Sequence, residues 1–564
     1  MQRRARAVCT RCHSRKIRCD LEGRPSGSCS RCEDERHTCQ PHIGPRKQRR
    51  ALRSSLYSSD TSFLSPSRAV STVAQENTTQ EATPSPFRPL GHRGITCLGP
   101  GNVNALQQPN PIHGSQLTLD ISQACCLPPP VLAQALADFY FRELHHLAPI
   151  LDRGQTEIAT STLLQQCLYF AGSTMRQKAA PAEWTTFAIY GRIKTLLFLH
   201  HDSAPLNMLS ALCIISTWLP YAPDAIVLDN PWQWVGMGIR LAIQLHLHEN
   251  DTYSRLEHPG RARRMWWYLF ISDTMQTACC GRLGMFPLET SVPLPVPSDF
   301  KDPDLGSHVF CQLAQLCTQL RKILALARVD HTPSEQVYSR LDGLRLWREQ
   351  LPLEMQLFDI ETRQPYSRPV SELHIFYLVT VILTCFLGRR DNPSLFKYAS
   401  MVASSCVSRL YEEILYHEDV QYLLPVHSWA NLVAGIPRAF SDNDALNPDR
   451  DEEIRISKQV LEIMSEKHTS AALVLSKVSS FNNMGADAFT SQADSTWGAL
   501  PVPRQMQLAQ LFPFPFSFCS MLELLITAEN SGNQPPDELP TLPMDSNDWP
   551  IDWSSFLFDG LMNF

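Results

Sequence analysis

The feature that most constrains this chain of 564 residues is a repeated spacing of six cysteines near its start. The pattern Cys-x2-Cys-x6-Cys occurs twice, first at Cys9, Cys12 and Cys19 and then at Cys29, Cys32 and Cys39. Zn²⁺ takes four ligands in a tetrahedron and favours thiolate sulfur. Six cysteines can supply two four-ligand sites only if two sulfurs are shared. The spacing therefore predicts a small module stapled by a binuclear metal cluster.

Three other interpretations of these cysteines stay open at this point. They are a disulfide knot, a single-zinc finger with four cysteine ligands, and a RING-like cross-brace that uses His13, His37 or His42. The N-terminus lacks the apolar segment of a secretory signal, so we expect a reducing compartment, which disfavours disulfides. A RING site needs eight ligands in an interleaved order with wide gaps, and the sequence does not show that order.

The charge of the chain is distributed unevenly. Residues 1–50 contain 14 Lys and Arg against 5 Asp and Glu, a net charge of +9. Residues 505–564 contain 8 Asp and Glu and no Lys or Arg. A metal-stapled cationic segment is typical of nucleic-acid binding, and the acidic end indicates a second, different partner.

Composition divides the chain into four parts. Residues 9–39 form the Zn2Cys6 module. Residues 40–126 start with a basic run and continue rich in Ser, Thr and Pro, which predicts a disordered linker. Residues 127–528 show helical periodicity and little strand-like alternation, which predicts one all-helical domain. Residues 529–564 combine prolines, acids and large apolar side chains, and predict a disordered acidic tail. The expected fold class is mainly α.

Within the helical domain, a first amphipathic helix is expected after Pro130. The apolar run Ile375–Gly388 is too short to span a bilayer and predicts a buried core helix. Further helices are predicted at 160–170, 183–200, 205–219, 231–248, 260–280, 307–328, 334–350, 370–388, 396–417, 427–440 and 452–477.

The segment Cys9–Asp20, which reads CTRCHSRKIRCD, resembles the fungal Zn2Cys6 binuclear-cluster transcription factors, as does Pro25 in the loop before Cys29. The resemblance implies that Cys9 and Cys29 bridge two zinc ions and that the other four cysteines are terminal ligands. It also implies that the helix after the first cysteine enters the major groove and reads a short G/C triplet, often CGG. His13 replaces the usual Arg or Lys, which makes the chain more similar to the acetamidase and cutinase regulators.

The same resemblance, with the chemistry of the cations, gives expected roles in DNA binding. Guanidinium and ammonium groups can donate to guanine O6 and N7, and other cations hold phosphate. We expect base contacts from Arg15 and Lys16, backbone contacts from Arg11, Arg18 and Arg31, and a place for His13 on the same DNA-binding helix.

A second resemblance covers most of residues 127–528 and is clearest at 231–300. The sequence Arg263-Arg264-Met-Trp266-Trp267, followed by Asp273, is similar to the fungal-specific transcription factor domain. That domain is regulatory, so the resemblance implies a response to a small-molecule inducer or to an inhibitor protein. From the residues alone, the two tryptophans are expected in the core, and Arg263, Arg264 and Asp273 are expected to form a structural set of ion pairs.

The middle of the chain gives no sign of catalysis. It contains no nucleophile elbow, phosphate loop or zincin motif. His246 and His248 are two residues apart, so on a helix they would point about 200° apart and would suit a shared metal poorly. We therefore expect that the chain is not an enzyme.

The acidic tail has the composition of an activation domain. Its acids keep large apolar side chains in water, and such a segment can fold as a short helix against a co-activator. One face of that helix would carry Trp553, Phe556, Leu557 and Leu561. The alternative is a tail that docks on the helical domain.

These expectations describe a nuclear, sequence-specific DNA-binding regulator of RNA polymerase II genes, an activator, with two Zn²⁺ per chain and no membrane partner. Nuclear import is expected from Arg46, Lys47, Arg49 and Arg50. The target is expected to be a catabolic or secondary-metabolite gene cluster, by analogy only. The alternative is a zinc-stapled module for protein or RNA without DNA sequence specificity. The sequence leaves the oligomeric state open.

Overall fold

The computed structural model describes residues 9–15, 19–21, 28–35, 37–39, 121–177, 181–221, 227–329, 332–388, 393–439, 449–483 and 507–525. The chain divides into two units, residues 1–92 and 93–564. The tail predicted at 529–564 and the linker up to residue 120 lie outside the described residues.

The first unit contains the cysteine module. Its two described helices are α1 (Thr10–Ser14) and α2 (Ser30–Asp34), and each begins one residue after the first cysteine of a repeat. Among the described residues of this unit, the buried ones are Cys9, Cys12, Cys19, Cys29 and Cys32, and Leu21 and Cys39 are partly buried against them. A module with so little apolar surface needs another source of stability, such as a metal.

The second unit is a helical body, and the mainly α fold class is confirmed. Its helices are α3 (Ile121–Ala124), α4 (Pro130–Phe139), α5 (Thr156–Thr160), α6 (Thr162–Met175), α7 (Thr186–Phe198), α8 (Pro205–Ile215), α9 (Pro231–Gln244), α10 (Pro259–Cys280), α11 (Leu305–Leu326), α12 (Ser334–Glu349), α13 (Arg368–Gly388), α14 (Pro393–Tyr416), α15 (Val426–Ala439), α16 (Arg450–Ser465) and α17 (Thr469–Asn483). Shorter 3₁₀ turns join them at Ala182–Trp184, Asn250–Arg255, Pro297–Asp299, Leu353–Met355, Val420–Tyr422 and Ser520–Leu525. The strands of the described part are β1 (Phe358–Asp359) and β2 (Thr362–Arg363), a small antiparallel hairpin.

Local sequence signals set many of these boundaries. Proline occupies the first turn of α4, α8, α9 and α10, where its missing N–H would have no helical partner in any case. Asn230 caps α9 by accepting the N–H of Gln233 at 3.0 Å. Gly281 ends α10 with a φ of +61°, a left-handed conformation that favours glycine.

One predicted helix is wrong in its extent. The segment predicted as one helix at 452–477 is two helices, α16 and α17, which pack against each other. The chain turns at Glu466–His468, where the imidazole Nε2 of His468 hydrogen-bonds to the carbonyl oxygen of Leu423 at 3.1 Å. No Gly or Pro marks this turn, so the periodicity of the sequence could not reveal it.

The core is continuous through the body and includes the predicted tryptophans. Trp266 is 3% exposed and Trp267 is 1% exposed, so their prediction as core residues is confirmed. Helix α13 is long and apolar enough to cross a membrane, but 89% of its most apolar 18-residue window is buried inside the protein. The prediction of a buried core helix is confirmed.

The predicted ion-pair set of Arg263, Arg264 and Asp273 is corrected by the structure. Arg263 pairs with Asp299, and Arg264 Nη2 binds Asp152 at 2.6 Å. Asp273 instead faces another helix and pairs with Arg321 at 2.9 Å. Arg263 and Arg264 thus tie the start of α10 to Asp299 and Asp152, and Asp273 ties the second half of the helix to α11. The ion-pair partners of these three residues are set by the tertiary structure and not by their spacing in the sequence.

The absence of a side chain at Gly172 lets α6 pack closely against α4. A Cβ at Gly172 would lie 1.8 Å from the carbonyl oxygen of Leu136, which is backbone and cannot move aside. Gly343 on α12 offers a matched control, because the nearest atom to its Cβ would be the Gln319 Oε1 at 3.6 Å.

We predict that Gly172→Ala lowers the free energy of unfolding by about 3 kcal/mol, because α6 must move away from α4. Gly343→Ala should raise it by roughly 0.5–1 kcal/mol through helix propensity. Thermal or urea unfolding of the two variants beside the parent chain measures both changes. Equal stability of the two variants would show that the close approach is absent.

Candidate metal centre and nucleic-acid interface

The six predicted cysteines come together as two overlapping groups of sulfur atoms. One group contains Cys9, Cys12, Cys19 and Cys29, and the other contains Cys9, Cys29, Cys32 and Cys39. Within each group the sulfurs lie within 4.8 Å of one another. Cys9 and Cys29 belong to both groups, so the arrangement has four donors for each of two positions and shares two of them.

The sulfur distances fit tetrahedral zinc. The Sγ atom of Cys9 lies 3.8 Å from those of Cys29 and Cys32, and the Sγ atoms of Cys12 and Cys29 are also 3.8 Å apart. Four sulfurs at about 2.3 Å from Zn²⁺ in a tetrahedron lie about 3.8 Å from one another. A disulfide needs about 2.05 Å between the sulfurs. The donor set therefore fits thiolate-bound zinc and does not fit a disulfide knot.

The backbone of the two repeats holds the sulfurs in equivalent ways. The Cys9 N–H donates to the Sγ atom of Cys19, and the Cys29 N–H donates to that of Cys39, both at 3.3 Å. In the first repeat, the Cys12 N–H also donates to the Sγ atom of Cys9 at 3.4 Å. Such N–H donors stabilise the negative charge of metal-bound thiolates and orient them. The equal spacing in the sequence thus corresponds to a pseudo-symmetric site.

The crowded thiols of the cluster favour a bound cation. Burial raises the pKa of Cys32 to about 12, with a further rise from the neighbouring sulfurs of Cys29 and Cys9. Burial also raises the pKa of Cys12. The N–H of Cys29 acts in the opposite direction and lowers the pKa of Cys39. Several thiolates can coexist here only when positive charge is bound between them.

An aspartate that no sequence motif pointed to joins the two repeats. The Asp20 carboxylate accepts the backbone N–H of Ser30 at 3.0 Å and the Ser30 hydroxyl at 2.6 Å. Ser30 is the first residue of α2, so the carboxylate lies at the positive end of that helix. A residue that follows Cys19 directly thereby fixes the start of the second repeat.

Two arginines of the first repeat lie close to the carboxylate of Glu35. Arg11 forms an ion pair with Glu35, and Arg15 Nη1 lies 3.7 Å from the same carboxylate. The Arg15 side chain is 57% exposed, and Arg31 on α2 is also exposed. Because Glu35 follows α2, this ion pair ties α1 to the second repeat and leaves Arg15 largely open to a ligand.

Several predicted site residues lie outside the part of the chain that the structure describes. His13 lies in α1, and its side chain is outside the described residues, as are Lys16 and Arg18. The residues predicted for nuclear import, Arg46, Lys47, Arg49 and Arg50, and those predicted for activation, Trp553, Phe556, Leu557 and Leu561, also lie outside.

The expectation for His246 and His248 needs correction. Helix α9 ends at Gln244 and His246 has a φ of +58°, so helical geometry no longer applies there. The two imidazole rings stack with centroids 5.9 Å apart, and Glu249 joins them in a group whose ligand atoms lie within 4.8 Å. The three side chains could therefore share an ion, contrary to the expectation from periodicity.

Comparison with known proteins agrees with this geometry. Residues 7–49 match the fungal Zn(2)-Cys(6) binuclear cluster domain, and residues 137–360 match the fungal specific transcription factor domain. The chain contains both domains. Zinc is thus the metal for which the cysteine module is built. These are domains of transcription regulators and not of enzymes, in agreement with the expectation for the chain.

The relatives are regulators of two kinds. The chain is 25% identical to the acetamidase regulatory protein of Aspergillus oryzae over 342 residues, which is 55% of this chain and 42% of the relative. It is 26% identical to the protein of the same name from Aspergillus fumigatus over 342 residues, with the same shares of the two chains. Cutinase transcription factor 1 beta of Fusarium vanettenii is 25% identical over 177 residues, 28% of this chain and 20% of that protein.

The chain therefore spans less than half the length of these relatives. The predicted similarity to the acetamidase and cutinase regulators is confirmed. No solved structure matches the chain.

We predict that Asp20→Ala loosens the metal centre, because α2 loses its carboxylate cap and the two repeats lose their direct link. The cost should be about 1–2 kcal/mol, and zinc should leave correspondingly faster. Transfer of zinc to a chromophoric chelator measures the rate in the full chain. Asp34→Ala, an exposed acid at the end of α2, is the matched control and should release zinc at the parent rate. Identical rates for both variants would contradict the linking role of Asp20.

Proposed function

We propose that this chain is a nuclear, zinc-dependent, sequence-specific DNA-binding regulator of RNA polymerase II transcription that acts as an activator. The observation that carries the proposal is the pair of four-sulfur groups that share Cys9 and Cys29 beside α1, which contains Arg11 and is followed directly by Arg15. One Zn²⁺ would bind in each group. The zinc ions stabilise the module and take no part in a reaction.

The charge of the head supports DNA as the partner. Six thiolates and two Zn²⁺ carry a combined charge of about −2, so the +9 of residues 1–50 falls only to about +7. Such a charge attracts phosphate and releases counterions from the duplex. Specificity needs base contacts as well, for which Arg15 and Lys16 are the candidates, with His13 beside them and Arg11, Arg18 and Arg31 on phosphate. The expected site contains a CGG-like triplet.

The other parts of the chain have proposed roles that follow from composition. The basic run Arg46–Arg50 serves nuclear import. The tail at 529–564 recruits co-activators through its aromatic and aliphatic face, including Trp553 and Leu561. Relatives named as acetamidase and cutinase regulators support target genes in catabolism, and a secondary-metabolite cluster is the alternative.

We predict that substitution of a shared ligand removes more zinc than substitution of a terminal ligand. Cys9→Ser should remove both ions, because Cys9 belongs to both sulfur groups, whereas Cys12→Ser should leave about one ion per chain. Elemental analysis of zinc against protein sulfur in the full chain measures the ratio. Cys126→Ser changes an exposed cysteine of the helical body and should keep two ions. One ion in the parent chain, or equal losses from Cys9→Ser and Cys12→Ser, would contradict the shared-sulfur cluster.

We predict that zinc-loaded full chain enriches G/C-containing sites from random duplex and that a chelator abolishes this binding. Lys16→Ala should relax base preference at one position, at a cost of about 1–3 kcal/mol for the preferred site. Arg31→Ala should weaken binding to all sequences alike and lower the salt slope by about one. Arg31 is a better phosphate control than Arg11, whose ion pair with Glu35 also holds the module together.

Two results would contradict the DNA proposal. An unchanged site list for Lys16→Ala would remove its base-reading role. Binding of the parent chain without any sequence enrichment would favour a zinc module for protein or RNA partners.

A further inference from the structure

We propose that the turn after α9 binds a divalent transition-metal ion, in addition to the metal of the cysteine cluster, with His246, His248 and Glu249 as its ligands. Helix α9 ends at Gln244, and the three residues lie between it and the 3₁₀ turn Asn250–Arg255. Their ligand atoms lie within 4.8 Å of one another. The site belongs to the helical body, within the segment that matches the fungal specific transcription factor domain.

The distances between the ligand atoms agree with a metal site. Nδ1 of His246 lies 3.1 Å from Oε1 of Glu249, and Nε2 of His248 lies 3.3 Å from the same oxygen. Imidazole nitrogen and carboxylate oxygen bind Zn²⁺ at about 2.0–2.2 Å, so two ligands of a tetrahedral ion lie about 3.3 Å apart. Two imidazole nitrogens thus converge on one carboxylate at the separation that a shared ion requires.

The backbone of the turn holds the two imidazoles together. His246 has a φ of +58°, and Leu247, which stands between the two histidines, is fully buried. The hydroxyl group of Tyr253 donates to the carbonyl oxygen of Leu247 at 2.7 Å, and that of Ser291 donates to the carbonyl oxygen of His248 at 2.8 Å. The imidazole rings stack with their centroids 5.9 Å apart. A site whose backbone is fixed before the ion arrives loses less conformational entropy on binding.

The ligand set selects the class of metal. Imidazole nitrogen suits Zn²⁺ and neighbouring transition metals, whereas Ca²⁺ and Mg²⁺ take oxygen ligands. The hydrogen bond with His246 lowers the pKa of Glu249, which keeps this carboxylate ionised. The side chains of His246, His248 and Glu249 are 66%, 41% and 54% exposed, so an ion can enter from water and water can complete its coordination.

Two features of the site limit its affinity. Arg255 also lowers the pKa of Glu249 through its positive charge, and the same charge repels a cation. Nδ1 of His248 is buried and has no hydrogen-bond partner among the described residues, so coordination through Nε2 leaves the ring proton without an acceptor. We therefore expect weaker binding than that of zinc in the cysteine cluster, so that dialysis against metal-free buffer removes this ion and leaves the zinc.

The proposal does not rest on the proposed function. The ligands include no cysteine, and binding is measured without DNA. Failure of the DNA proposal and failure of this site are therefore separate results.

The test uses the zinc-loaded full chain without an affinity tag and Co²⁺ as the probe, because cobalt can be counted separately from zinc. Equilibrium dialysis followed by elemental analysis of cobalt, zinc and protein sulfur should give one saturable Co²⁺ per chain and an unchanged zinc content. An excess of Ca²⁺ or Mg²⁺ should not displace the cobalt, because these ions bind imidazole poorly.

Three variants locate the site. His246→Asn introduces a residue that tolerates the left-handed backbone, and His248→Gln removes the second imidazole. Loss of a supporting group near a metal typically costs 10-fold to 100-fold in affinity, so loss of a ligand should weaken Co²⁺ binding by at least about tenfold in each variant. His308→Gln is the matched control, because His308 is a histidine of the same body that pairs with one carboxylate, that of Glu354 at 2.7 Å. Its Co²⁺ affinity should equal that of the parent chain.

Four results would overturn the proposal. The first is an absence of saturable Co²⁺ binding to the parent chain, and the second is parent affinity in His246→Asn or His248→Gln, folded as judged by circular dichroism. The third is a gain of cobalt only as zinc is lost, which would place the cobalt in the cysteine cluster. The fourth is an equal loss of affinity in His308→Gln and His248→Gln, which would show that histidines paired with a carboxylate bind cobalt without a shared site.

Discussion

The sharing of two sulfurs, those of Cys9 and Cys29, is the constraint on which the N-terminal module depends. Each sulfur belongs to both four-atom groups, and each residue directly precedes a short helix. In the described part of this unit the buried side chains are cysteines, which form almost no apolar core. Metal binding and folding are therefore one process in this unit, and everything that α1 presents to a partner depends on it.

The two repeats are linked by hydrogen bonds and an ion pair as well as by the shared sulfurs. Asp20 holds the first turn of α2, and Glu35 holds Arg11 from the far end of that helix. Asp20 of the first repeat binds the second repeat, and Glu35 of the second repeat binds the first. Together these contacts fix α1 against α2. The result is a small surface on which Arg15 stays largely exposed, as a phosphate or base contact requires.

The helical body is stabilised by a different kind of interaction. Arg264 is fully buried, and it binds Asp152, the carbonyl oxygen of Asp299 and the face of the Phe300 ring. Removing one partner of such a pair leaves a buried charge uncompensated.

The sequence by itself determined the metal chemistry, the helical class of the body and the positions of most helices, because spacing and periodicity are local properties of a chain. Only the tertiary structure decided the partners of Arg263, Arg264 and Asp273, the turn between α16 and α17 and the approach of His246 to His248. A cavity in the helical body belongs to this second group as well. Its wall combines α10 with α15 and α17, whose residues are far apart in the sequence and meet only when the helices pack together.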